Sequence, residues 1–135
     1  MRGASALEEV LRAFPESPLH VFVVWEPVLM TDLGPPTTST LARIHDARVT
    51  QCWDRDRHLS KDLIRAMLAE PKRYILTEEI HEDDIVWDTI ALFPAGALWT
   101  SDVPVPAFYG HPVVDSMDGL HSALAGLPID PRTPP

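Results

Sequence analysis

The chain has 135 residues, of which 45% are hydrophobic and 23% charged, values typical of one globular domain. Twenty acidic residues against eleven Lys and Arg give a net charge of -9. This charge argues against a general nucleic-acid-binding protein and against docking on an anionic membrane surface. The single cysteine excludes an internal disulfide, a CxxC redox pair and an all-cysteine zinc site. No export signal and no membrane-spanning stretch is visible, so we expect a cytoplasmic protein.

The N-terminal part of the chain predicts a helix followed by a strand. Ser5, with Glu8 three residues later, has the pattern of a capping box and predicts a helix over residues 5–14. The run of β-branched and aromatic residues at 20–25 is apolar at successive positions. Such a run predicts a strand that is covered on both faces, as in an α/β sheet.

A second strand and helix are predicted after a proline-containing loop. Thr37 or Thr38 is expected to cap a short helix within this region. Residues 48–54 predict the second strand, and Asp56 is expected to cap a helix that ends before Pro71. Because strands joined through a helix run in the same direction, we expect these two strands to be parallel.

The last part of the chain predicts an antiparallel hairpin and a final helix. Residues 85–93 and 97–100 are predicted as the two strands, separated by a Pro-Ala-Gly turn. Ser116 is expected to cap the last helix, which ends at Gly126. Residues 127–135 contain several prolines and predict a disordered tail.

The element order and two local stretches resemble the thioredoxin-like superfamily. Val21–Trp25, followed by a loop and a helix, resembles the central strand that leads into the family's active-site loop. Residues 89–96 resemble its hairpin strand and glycine turn. The resemblance implies an α/β fold with a thioredoxin-like mixed sheet of about four strands flanked by helices. It covers about residues 18–126, and we expect a single domain of this kind over residues 1–126.

The chain departs from the family at the residues that carry its chemistry. The two cysteine positions of the CxxC motif fall on Leu29 and Asp32, and the position of the family's cis-proline falls on Asp88. Because one thiolate must attack and a second must resolve, the chain is expected to be redox-inactive. Cys52 lies within the second predicted strand, and we expect it to be buried with a raised pKa rather than catalytic.

Three tryptophans are each followed directly by an acidic residue. Two of these pairs end the parallel strands at the carboxyl edge, where open α/β sheets bind ligands. The third pair begins the hairpin strand, which places it at the same edge if that strand is adjacent and antiparallel. The predicted ligand-binding rim consists of Trp25, Glu26, Asp32, Trp53, Asp54, Trp87 and Asp88.

Three functions are compatible with this rim. The first is binding of a small ligand or a protein partner. The second is a cysteine-independent enzyme or a metal-binding protein, with a divalent cation held by Glu26, Asp54, His58 and Asp88. The third is a structural or oligomerisation module, such as a homodimer, with the sheet edge or the segment at residues 108–109 as its contact. A purely structural interpretation is also open. In it, the tryptophans close the core, and the acidic residues after them form hydrogen bonds with the backbone of the loops.

Overall fold

The computed structural model describes residues 2–74 and 79–126. In chain order, its elements are α1 (Arg2–Ala13), β1 (Val21–Trp25), α2 (Thr38–Leu41), β2 (Val49–Trp53), α3 (His58–Ala69), a 3₁₀ helix (Pro71–Arg73), β3 (Ile90–Leu92), β4 (Phe108–Gly110), a second 3₁₀ helix (Val113–Ser116) and α4 (Met117–Gly126). The tail predicted at residues 127–135 lies outside the described residues.

The strands form two separate sheets of two strands each. β1 and β2 are parallel, with Trp25 paired to Trp53, which confirms the predicted parallel pair. β3 and β4 are antiparallel, with Ile90 paired to Gly110. The α/β content is therefore correct, but the predicted thioredoxin-like mixed sheet of about four strands is wrong.

The third predicted strand is shortened because its first half bonds to a helix instead of a neighbouring strand. The Val86 amide donates to Ser60 Oγ of α3 at 3.1 Å. Asp88 then adopts a left-handed backbone with φ 48°, which interrupts the extended conformation. β3 consequently begins only at Ile90. Its partner is β4 instead of residues 97–100, which form no strand.

The sheet of β1 and β2 has one exposed face. Phe22, paired with Thr50, is 68% exposed, and Thr50 and Cys52 of β2 are exposed on the same face. The prediction that the first strand is covered on both faces is therefore wrong. The expectation that Cys52 is buried is wrong for the same reason.

The core consists of two hydrophobic clusters. The first joins α3, the residue after the first 3₁₀ helix and β4, and contains Leu63, Met67, Tyr74 and Tyr109. The second joins α1 to α4, and contains Val10, Leu120 and Leu124. Each buried apolar side chain contributes about 1.5–3 kcal/mol relative to exposure. Tyr109 is buried, so the segment at residues 108–109 completes the core rather than forming an exposed contact surface.

The predicted helix caps are only partly correct. Thr37 caps α2, because its hydroxyl accepts a hydrogen bond from the Thr40 amide at 3.3 Å, as predicted. α1 begins before Ser5, so the predicted capping box lies inside the helix and is wrong. Ser116 directly precedes α4, but its hydroxyl donates backward to the Pro112 carbonyl at 2.8 Å.

Arg48 fastens the C-terminal end of α1 to the start of β2. Its guanidinium donates to the Leu11 carbonyl at 2.7 Å and to the Phe14 carbonyl at 2.6 Å. Asp46 accepts from the same guanidinium at 2.8 and 2.6 Å through its two oxygens. A cation at the end of a helix is favoured by the helix dipole. The hydrogen bonds from Arg48 lower the pKa of Asp46 to about 2.

The Asp46–Arg48 pair makes part of the stability depend on pH. Because the pKa of Asp46 is about 2 in the folded chain and 3.8 ordinarily, the pair's contribution is complete above about pH 4. It is lost as the pH falls from about 4 to about 2. Asp46→Asn is therefore expected to lower the urea-unfolding midpoint at neutral pH and to have a shrinking effect in that acidic window. Asp118→Asn, on the exposed surface of α4, is the control. A constant effect of Asp46→Asn down to about pH 2 would contradict the prediction.

Candidate functional site

A cleft of about 540 Å³ lies at the carboxyl ends of β1 and β2. Its walls are the two strand ends and the loop that connects β1 to α2. The lining residues are Trp25, Glu26, Thr31, Asp32, Leu33, Gly34, Pro35, Pro36, Thr37, Thr40 and Trp53. The volume lies within the range of small-molecule sites, about 300–1,000 Å³. Four residues of the predicted rim line the cleft, namely Trp25, Glu26, Asp32 and Trp53.

Two tryptophans at paired positions form one wall of the cleft. Trp25 and Trp53 are direct neighbours across the parallel strands. Gln51 accepts a hydrogen bond from the Trp25 indole Nε1 at 3.1 Å and donates to the Leu41 carbonyl at 2.9 Å. Gln51 therefore fixes the Trp25 indole and also connects the end of α2 to the sheet.

The first turn of α3 holds the carboxylate of Glu26. The Ser60 amide donates to Glu26 Oε1 at 3.1 Å, and the Ser60 hydroxyl donates to Oε2. Burial raises the pKa of Glu26, and the negative charge of Asp54 raises it further. The hydrogen bonds from Ser60 and the charge of Arg57 act in the opposite direction, but the net effect is a raised pKa.

Asp54 accepts a hydrogen bond from the first turn of α3, a role that the sequence predicted for Asp56, while Arg57 at the N-cap position makes no side-chain cap bond. The Leu59 amide donates to Asp54 Oδ2 at 2.8 Å. Asp56 is exposed, and its carboxylate lies 3.9 Å from the exposed imidazole of His58. Glu26 and Asp54 thus satisfy two of the free amides at the start of one helix, where the dipole also favours negative charge.

Asp32 closes the loop between β1 and α2. Its Oδ2 accepts from the Val28 amide at 3.0 Å and from the Leu29 amide at 2.7 Å. Within the described part of the chain, Oδ1 has no hydrogen-bond donor. The turn holds three apolar side chains away from the core, since Leu29 is 65%, Met30 98% and Leu33 93% exposed.

The third tryptophan–acid pair does not line this cleft. Trp87 is 57% exposed and meets the His111 ring edge-on, with centroids 6.0 Å apart. The Asp88 carbonyl accepts from the Val113 amide at 2.9 Å. A Cβ built on Gly3 would lie 3.1 Å from Asp88 Oδ1, which places this carboxylate against the start of α1. The structure therefore brings two of the three pairs together.

The residues predicted to hold a divalent cation do not form an ion site. Within residues 2–74 and 79–126, no three His, Cys, Asp or Glu side chains are grouped to hold a metal. Glu26 and Asp54 are bonded to the start of α3, His58 is exposed and Asp88 lies against α1. The geometry gives no support to the metal hypothesis for this part of the chain.

Ser60 and Gln51 were not predicted as residues of the site, although the position of each in the sequence indicates its role. Ser60 precedes Leu63 and Met67 by three and seven positions, a spacing that places it on the buried face of α3. A serine on that face needs hydrogen-bond partners. Gln51 lies two residues before Trp53, so strand alternation places both side chains on one face of β2.

Comparisons with protein-family models, with curated proteins and with solved structures found no match. No helix in the described part of the chain has the length and apolar character to cross a membrane.

Replacing Glu26 separates its charge from its hydrogen bonds. Glu26→Gln keeps an acceptor for Ser60. Glu26→Ala leaves the Ser60 amide without its acceptor, at a cost of about 1–3 kcal/mol, and leaves the Ser60 hydroxyl the Val86 carbonyl at 3.2 Å. Because the folded pKa is raised above 4.5, the wild type loses stability relative to Glu26→Gln as the pH rises from about 4.5 through that pKa.

Urea unfolding between about pH 4 and pH 8 measures both effects. Glu26→Ala is expected to be less stable than the wild type at every pH. The stability of Glu26→Gln is expected to increase relative to that of the wild type as the pH rises. Glu9→Gln, on the exposed side of α1, serves as the control and should show no comparable gain. If the wild type instead becomes more stable relative to Glu26→Gln as the pH rises, the hydrogen bonds from Ser60 outweigh the effect of burial on the pKa of Glu26.

Proposed function

We propose that this domain binds a small organic ligand in the cleft at the carboxyl ends of β1 and β2. The observation that carries the proposal is a cleft of about 540 Å³ with paired indoles on one side and a proline-containing loop on the other. Small-molecule sites are concave, mostly apolar and equipped with a few polar groups that orient the ligand. This cleft has the size of such a site and combines apolar rings with polar groups, although its lining is about as polar as it is apolar.

The lining supplies both apolar area and hydrogen-bonding groups. Trp25, Trp53 and Pro36 offer apolar surface, while the carboxylates and the hydroxyl of Thr40 offer polar contacts. Gln51 fixes the Trp25 indole, and the amide bonds to Asp32 fix the loop. Because these walls are held before binding, less conformational entropy is lost when a ligand enters.

The setting that we propose for this binding is the cytoplasm, and the partner class is small molecules. The chain's single cysteine, Cys52, is an exposed thiol, and unpaired thiols are typical of reducing compartments. The net charge of -9 argues against nucleic acid as the ligand.

A second candidate function is self-association through exposed apolar surface. Phe22 lies on the exposed face of the β1–β2 sheet, and Met30 and Leu33 extend from the loop that follows β1. Exposed apolar side chains of this kind are typical of interaction surfaces when they adjoin one another. The parallel pair has no third strand among the described residues, so a second copy is also able to pair with a strand edge.

Ligand binding in the cleft is tested by a fragment screen followed through the indole Nε1 signals in ¹H–¹⁵N spectra. Fragments that bind are expected to shift the Trp25 and Trp53 signals and to leave the Trp87 signal unchanged. Gly34→Phe is expected to weaken these shifts, because a Cβ at this cleft residue meets no atom within 4 Å and the added ring is free to occupy the cleft.

Gly126→Phe is the matched control, since a Cβ there also meets nothing within 4 Å and the residue lies at the end of α4. It should leave the fragment shifts unchanged. A neutral, cationic and anionic fragment set that shifts neither the Trp25 nor the Trp53 signal would contradict the proposed function.

Self-association is tested by sedimentation velocity over a range of protein concentrations. If the exposed apolar surface pairs two copies, Phe22→Glu and Met30→Glu should each shift the distribution toward the monomer. Leu98→Glu is the control, because Leu98 is 77% exposed on a different segment. A wild type that stays monomeric at high concentration would rule out this candidate.

A further inference from the structure

The charges that line the cleft have one sign. Among its lining residues, Glu26 and Asp32 carry a charge, and both are acidic. Asp54 adds a third negative charge close enough to Glu26 to raise its pKa. The positive charge of Arg57 acts on Glu26 only weakly, and Arg57 is not among the lining residues. The cleft therefore repels anionic ligands and attracts cationic ones.

The indole wall favours the same kind of ligand. A cation over the face of a tryptophan is attracted by the ring's quadrupole, and tryptophan is the strongest aromatic partner for this contact. Trp25 and Trp53 contribute two such rings to the lining at paired positions, together with Glu26 and Asp32. An indole wall with a nearby carboxylate combines an apolar surface for alkyl groups with a counter-charge for nitrogen.

We infer that the cleft recognises an organic cation, either an alkylamine or a quaternary ammonium compound, in preference to neutral or anionic molecules. The inference rests on the proposed function, because it names the ligand class of the same cleft. Within the described residues, Asp32 is the better counter-charge. Its Oδ2 is occupied by the Val28 and Leu29 amides, which leaves Oδ1 for a ligand, whereas both oxygens of Glu26 are bonded to Ser60.

Three probes of nearly equal shape separate charge from size. Choline is cationic, 3,3-dimethylbutan-1-ol is its neutral analogue, and 3,3-dimethylbutanoate is an anion. Titrations followed by the four indole signals are expected to show choline shifting those of Trp25 and Trp53. Its dissociation constant should be at least about tenfold lower than that of the alcohol, and the anion should bind more weakly than both. The Trp87 and Trp99 signals should not move, because neither residue lines the cleft and Trp99 packs edge-on against Phe93.

Asp32→Asn tests the counter-charge without removing the loop bonds. Asparagine keeps an oxygen that accepts from the Val28 and Leu29 amides, and it removes the charge. The variant should lose most of the preference for choline, about five- to tenfold, and bind the alcohol as the wild type does. Asp118→Asn, on α4, should leave all three affinities unchanged. Urea-unfolding midpoints of both variants verify that the loop and the domain remain folded.

The outcomes distinguish the ligand class from the function. If the alcohol or the anion shifts the Trp25 and Trp53 signals as strongly as choline, the inference is wrong but the cleft binds small molecules. The same conclusion holds if screened fragments bind and choline does not, or if Asp32→Asn keeps the full preference. Equal shifts of all four indole signals would mean non-specific contact and overturn the inference. If neither the probes nor any screened fragment shifts Trp25 or Trp53, both proposals are wrong.

Discussion

The arrangement of the site depends on the buried side chain of Ser60. Its hydroxyl donates to Glu26 at the end of β1 and accepts from the Val86 amide before β3, and its own amide belongs to the first turn of α3. Ser60 is 2% exposed, so its own hydroxyl and amide are withdrawn from water, while Glu26 and Val86 are partly buried. A buried polar group that loses its partner costs about 1–3 kcal/mol. These bonds therefore hold three distant segments together as one unit.

The same contact explains why the chain does not build the sheet that its sequence predicted. The apolar pattern of residues 85–93 is typical of a strand. Such a pattern indicates which side chains are buried, but it does not identify the hydrogen-bond partner of each backbone amide. Ser60 takes the Val86 amide that a strand would use for pairing, and the left-handed backbone at Asp88 then interrupts the extended segment. What remains is a three-residue strand that pairs with β4.

The features that the sequence predicted correctly are local ones. The β1–β2 pair, the end of α3 before Pro71 and the cap at Thr37 follow from neighbouring residues or from the alternation of strand and helix. The carboxyl edge of this pair also carries the cleft, and four predicted rim residues line it. Two of the contacts that were missed join residues more than 25 positions apart, Ser60 to Glu26 and Trp25 to Gln51, whereas the missed bond from the Leu59 amide to Asp54 is local. Spacing along the chain does not encode the two distant contacts.

The acidic residues near the cleft are of two kinds. Some have carboxylates that are bonded to helix amides, whereas another has an oxygen that is left for contact with a ligand. Glu26 and Asp54 bond the amides at the start of α3, where the positive end of the helix dipole offsets part of their charge. To act as a base or to bind a metal ion, either carboxylate would have to give up its hydrogen bond from an amide at the start of α3. Asp32 instead bonds a loop turn through one oxygen, and its other oxygen has no donor within the described residues. For the cationic ligand that we propose, the counter-charge is therefore best supplied by Asp32, which lines the same cleft as the Trp25 indole that Gln51 holds in place.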